Sequence, residues 1–153
     1  MQRNRGFSLL ELVIVVVILG IIAAIAIPRM SQGSQGANDS SLVQNLSILR
    51  GAIDLYAAEH DGTWPTEANI VNQLTKYSSK DGASVSATRT PTCLYGPYLR
   101  AVPPLPLGDK KGATDIANNN SAHTGWRYDE TTGSITANTG SMTDSSGKLY
   151  TSY

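Results

Sequence analysis

An acidic residue inside an apolar run is the feature of this sequence best placed to do chemistry. Glu11 stands in residues 9–27, a stretch of 19 residues that is otherwise apolar apart from the permissive Gly20. A carboxylate in a membrane helix costs roughly 2–3 kcal/mol near the centre and less near an end. Such a group needs a partner, and the nearest cations, Arg3 and Arg5, precede Gly6. A cut between Gly6 and Phe7 supplies one. It frees an α-amine on Phe7, four residues before Glu11, so that amine and carboxylate share one helix face. The same amine on a second chain, shifted along the axis, also reaches Glu11. A buried pair of this kind fixes register more than it adds stability.

Other chemistries lack their residues. There is no His-Glu-x-x-His, no phosphate-binding loop and no dinucleotide fingerprint. Twelve cations balance twelve anions, which leaves no electrostatic footprint for nucleic acid. The single cysteine, Cys93, excludes an internal disulfide. With only His60 and His123 beside it, Cys93 also cannot build a Cys/His zinc site within one chain.

The element that carries Glu11 reads as a membrane helix. At about 1.5 Å per residue, residues 9–27 reach roughly 28 Å, close to the hydrocarbon thickness of about 30 Å. Arg3 and Arg5 before the run, against Arg29 alone soon after it, place the N-terminus inside and the body outside. A cleaved secretory signal with a site at Ala24-Ile25-Ala26 fits less well, because Pro28 follows that site and Glu11 interrupts the apolar region. Pro28 predicts a kink, since it cannot donate to the carbonyl four residues back.

The segment Gly6-Phe7-Ser8-Leu9-Leu10-Glu11, followed by an apolar run that closes at Pro28, resembles the prepilin N-terminal motif of type IV pilins and of the pseudopilins of type II secretion. Two shorter segments add to the resemblance: Gly62-Thr63-Trp64-Pro65-Thr66 is similar to pseudopilins, and Tyr98-Leu99-Arg100 with Pro103 to the major pseudopilin of type II secretion. The resemblance implies cleavage between Gly6 and Phe7 by a prepilin peptidase, N-methylation of Phe7, and a role in assembly for Glu11. It implies a pilin-like α+β fold, with a long N-terminal helix packed against a small antiparallel sheet. It also implies a helical filament of copies of the chain, with minor pseudopilins and an inner-membrane assembly platform as partners. The expected location is the bacterial inner membrane, crossed once, with the C-terminal domain in the periplasm. A type IV pilin is the second reading, although many such pilins close a C-terminal loop with a disulfide that one cysteine cannot make. A membrane-anchored enzyme is the third, and no catalytic constellation supports it.

These readings divide the chain into a leader, 1–6; a transmembrane helix, 7–28; an amphipathic continuation, 29–62; and a C-terminal α+β domain, 63–153. Gly33 and Gly36 weaken the continuation, each at about 1 kcal/mol. Beyond them Leu42, Leu46, Leu49, Ile53 and Tyr56 form one apolar stripe at helical period, suited to packing on the chain's own domain. Gly62 is placed to end the helix, and Thr66 to cap a short helix with Ile70, Val71 and Leu74. Residues 78–92 and 108–124 read as polar loops. Residues 125–128 and 134–137 read as a hairpin around a loop ending at Gly133, with 149–153 as a third strand. Major pseudopilins commonly hold calcium in an acidic C-terminal loop. Here only Asp144 follows the hairpin, and Asp109 and Asp115 precede it, so no metal or other cofactor is expected. Mass spectrometry of the purified protein tests the processing: the expected N-terminus is methylated Phe7, and any other refutes it.

Overall fold

Residues 7–153 are described by the structure, a computed structural model; within the first helix the side chains of residues 26–33 also lie outside the description. The chain forms two compact units, Met1–Ala37 and Asn38–Tyr153. Helix α1, Leu9–Glu59, is a single element of 51 residues that belongs in part to each. Pro28, Gly33 and Gly36 all fall inside it without ending it. A glycine costs about 1 kcal/mol in a helix, and a helix already nucleated on both sides absorbs such a cost.

In the second unit, α1 behaves as an amphipathic helix. Leu42, Leu46, Leu49, Ile53 and Tyr56 are all buried, on one face. Each buried leucine or isoleucine contributes roughly 1.5–3 kcal/mol relative to exposure. The stripe packs into a cluster with Ile70 and Leu74, with Leu99, Val102 and Leu105, and with Trp126, Tyr128 and Ile135. The helix ends where Asp61 and Gly62 take positive φ and the Gly62 N–H donates back to the Ala57 carbonyl at 2.8 Å.

Helix α2, Ile70–Thr75, buries Ile70 and Leu74 as its spacing requires. Its N-cap is Asn69, with no side-chain cap. Thr66 does not cap it; the Thr66 N–H instead donates to the Gln73 side chain at 2.9 Å, because a turn (Asn69 N–H to Thr66 O, 3.0 Å) intervenes. The stretch read as a polar loop at 78–92 contains a small antiparallel ladder, strand β1 (Tyr77–Ser78) with β2 (Val85–Ser86).

The main sheet has three strands in the order β3-β4-β5: Asp115–Ala117, Thr124–Asp129 and Ser134–Ala137. The hairpin β4-β5 is antiparallel, with Trp126 opposite Ala137 and Asp129 opposite Ser134, as the alternation of its sequence predicts. The third strand is not the expected one. Residues 150–152 form a 3-10 turn, Tyr150–Ser152, and β3 comes from the stretch read as the loop before the hairpin. β3 runs parallel to β4, with an irregularity between Asp115 and Ile116, so the sheet is mixed rather than antiparallel. Gly125 permits the close approach: a Cβ there would lie 2.4 Å from the Ala113 carbonyl oxygen.

Buried polar groups take partners among strandless segments. Trp126 Nε1–H donates to the Pro103 carbonyl at 2.8 Å, and the Tyr128 hydroxyl to the Pro65 carbonyl at 2.9 Å. Gly133, at φ 69°, lies beneath the Trp64 indole, where a Cβ would meet ring atoms at 2.6 Å. Gly133→Ala should destabilise the protein by about 2 kcal/mol or more, from the left-handed backbone plus a clash with a rigid ring. Gly140→Ala, at φ 62° with open space around it, should cost only about 1 kcal/mol. Thermal melting of the two variants checks the ordering.

Candidate functional site

At the start of α1, Ser8 occupies the N-cap position. Its Oγ accepts from the Leu10 N–H at 3.3 Å, and its carbonyl accepts the first helical bond, from Leu12 N–H, at 3.2 Å. The Ser8 N–H in turn donates to Glu11 Oε2 at 2.9 Å. This reciprocal pair is a capping box, Ser-x-x-Glu, in which two of the helix's orphan donors are satisfied. The spacing stands in the sequence as Ser8-Leu9-Leu10-Glu11, a local signal distinct from any cation partner of Glu11. Within a single chain the carboxylate therefore already has a backbone donor. It also lies at the helix end where the macrodipole favours negative charge.

Phe7, four residues before Glu11, is 82% exposed. Gly6, on the other side of the expected cut, lies outside the described residues. Pro28 is within α1, in the part whose side chains lie outside the description. From Leu9 to Ile25 every large apolar side chain is exposed, from 81% at Leu9 to 46% at Val13, on all sides of the helix. A helix that is apolar all round takes its place among other apolar groups, from lipid or from protein. Among the described residues no helix is long and apolar enough to cross a membrane.

The candidates in the second unit are held apart in separate local roles. His60 is buried; its Nδ1–H donates to the Tyr56 carbonyl at 2.8 Å, and its Nε2 lies 3.0 Å from Ser78 Oγ. Its ring stacks on Tyr56 with centroids 3.7 Å apart. Cys93 is buried beside the Ser84 carbonyl. The Tyr98 hydroxyl donates to Glu59 at 2.7 Å, and burial, then Glu59, pushes that phenol above the ordinary tyrosine range. Among the described residues no three His, Cys, Asp or Glu side chains lie together in a way that could hold a metal.

Asp144 is engaged by its own loop. Oδ1 accepts from the Ser146 N–H at 2.8 Å, the Ser146 hydroxyl at 2.7 Å and the Lys148 N–H at 2.9 Å, and Oδ2 accepts from the Tyr153 hydroxyl. The Lys148 ammonium sits 3.7 Å from the centre of the Tyr153 ring. The segment is tied back to α1 by the Tyr150 hydroxyl on Asp39 at 2.5 Å and by Arg50, which donates to the carbonyls of Tyr153 and Ile135. None of these ties was read from the sequence.

Comparison with known proteins separates the readings. The profile of the prokaryotic N-terminal methylation motif matches residues 1–27. A type II secretion system core protein G from Klebsiella pneumoniae is 34% identical over 108 residues, which is 71% of this chain and 72% of that protein. The chain belongs to the type II secretion system core protein G family. Another core protein G, from Aeromonas hydrophila, is 27% identical over 108 residues, 71% of each chain. The type IV major pilin PilA of Myxococcus xanthus is 39% identical, but over 85 residues, 56% of this chain and 38% of that pilin. No solved structure matches the chain significantly. As in the core protein G reading, the architecture is α+β, with a long N-terminal helix and small sheets.

The hydroxyl of Tyr153, followed by the Ser146 and Lys148 donors, holds the Asp144 carboxyl well below the usual carboxylate range, and the same bond pushes the Tyr153 phenol up. A depressed carboxyl stabilises above its unfolded pKa and loses that effect as pH falls through the folded value; a raised phenol stabilises below its unfolded pKa and loses it as pH rises. The closed loop is thus fully held between about pH 4 and about pH 10. Asp144→Asn should return the Tyr153 titration toward about 10, followed by NMR of the ring Cζ; an unchanged titration refutes the contact.

Proposed function

We propose that this chain is a structural subunit of a type II secretion pseudopilus, processed by prepilin peptidase and polymerised at the inner membrane for protein export. One observation carries the reading. The likeness to core protein G extends over 108 residues, 71% of the chain, many more than the 27 of the N-terminal motif, so it reaches well into the globular unit.

In this reading the chain spans the inner membrane once with its C-terminal domain in the periplasm, and residues 1–6 leave as the leader. Phe7 then carries the methylated amine. The exposed apolar surface of α1 leaves lipid only when neighbouring copies replace it with equally apolar contacts. Glu11 sets the stagger between copies by accepting the Phe7 amine of a neighbour, and Pro28 bends the helix. Minor pseudopilins, the assembly platform and the prepilin peptidase are the other partners. The role is mechanical rather than catalytic. No calcium is assigned to it: such a site takes six to eight oxygens with several carboxylates, and after the hairpin the sequence offers only Asp144. The second reading, a type IV pilin for adhesion, motility or DNA uptake, is favoured by the 39% identity to PilA over the shorter match.

Glu11→Ala should abolish fibres recovered by shearing and, with them, export, while Glu11→Gln keeps the shape and removes the charge. Assembly of the alanine variant at the parental level would sink the proposed role. Deleting the gene separates the two readings: lost export supports the pseudopilus, and lost surface fibres with intact export supports the pilus.

A further inference from the structure

The outward face of the main sheet carries a concavity unrelated to the helix start. β4 turns Trp126 and Tyr128 into the core and Arg127 and Asp129 outward. Their cross-strand neighbours on β5 are Thr136, opposite Arg127, and Ser134, opposite Asp129. With Asn118 after β3 and Thr132 in the hairpin loop, these side chains line a cavity of about 440 Å³. That volume lies in the range of about 300–1,000 Å³ usual for small-molecule sites, but such sites are mostly apolar, and this lining is polar.

The arrangement of charge narrows the occupant. The Arg127 side chain has no ion pair or hydrogen bond to the chain among the described residues, so its guanidinium offers its donors outward. Asp129 is fixed in place: Oδ1 accepts from the Thr131 N–H at 2.9 Å and hydroxyl at 2.6 Å, and Oδ2 accepts from Thr132 at 3.0 Å. Those donors, the Thr131 hydroxyl foremost, hold its carboxyl below the usual range, so it stays ionised at neutral pH. An anionic ligand would face this carboxylate, and a cationic one would face the guanidinium. A neutral group that donates and accepts at the same time conflicts with neither. The hydroxyls of Ser134 and Thr136 and the Asn118 amide add the same two-way capacity.

The geometry points to a binding site for a neutral saccharide on this face, with Arg127 donating to ring or hydroxyl oxygens and Asp129 accepting from sugar hydroxyls. The cavity is open to solvent, so the affinity is modest, with a Kd of about 1–10 mM. This inference does not depend on the role proposed for the helix start.

The test is an NMR titration of the processed full-length chain in detergent micelles, with cellobiose as the neutral probe and glucuronate and glucosamine as charged controls. Saturable shifts confined to the amides of residues 127–129 and 134–136, with cellobiose and not with the controls, support the site. Arg127→Ala and Thr136→Val should each weaken cellobiose binding by about tenfold, the loss expected when a hydrogen bond to a charged group or a well-placed hydroxyl goes. Thr136→Val nearly conserves volume and is read if Arg127→Ala fails to fold. No saturable shift with cellobiose, saturation by glucuronate or glucosamine alone, or affinity unchanged in a folded variant overturns the proposal.

Discussion

Burial of a single helical stripe organises the globular unit. Leu42, Leu46, Leu49, Ile53 and Tyr56 hold a ridge against which α2, the proline-rich segment and the sheet all pack. None of those pieces buries enough by itself. The ladder β1-β2 is two residues deep, β3 is three residues long, and α2 has only six residues, well under the length at which an isolated helix is stable. They become ordered because the ridge gives them an apolar surface in common. The same helix upstream, in its first unit, carries apolar groups on every side. One backbone ladder thus serves two different surroundings, and only the side chains change.

Prolines decide where the polar groups of the core find partners. Pro65, Pro103 and Pro104 lie in segments that form no ladder, so their carbonyls remain available. Three are taken: by the Tyr128 hydroxyl, by the Trp126 indole, and by the Asn45 amide at 3.1 Å. Two of these donors come from the core face of β4 and the third from α1, so irregular chain is fastened between helix and sheet. The Thr139 hydroxyl is the buried side-chain group left without a partner among the described residues.

Periodic features were legible in the sequence, and long-range ones were not. The stripe of α1, the turn at Gly62, the segment Ile70-Val71-Leu74 and the β4-β5 hairpin all follow from local spacing and turn residues. β3 escaped because its partner lies parallel to it, with residues 118–123 as the connection. Parallel neighbours normally need a dozen or more residues between them, and this return works only because β3 is so short. The tyrosines at 150 and 153 looked like a strand because alternation is all a sequence shows. Their hydroxyls bind Asp39 and Asp144, and no local pattern encodes Asp39, more than a hundred residues away, as a partner. At the helix start the opposite happened. Ser8 and Glu11 are a local pattern, and the cost of the charge masks its capping role.

That pattern alters how the charge should be weighed. A carboxylate bonded to its own chain's amide is not an empty socket. Any ammonium that comes to it displaces, or shares with, a donor already there. The free energy of docking is then a difference between two satisfied arrangements rather than the relief of an unsatisfied one. Such an exchange is shallow in either direction, so a contact made through it forms and breaks at little net cost.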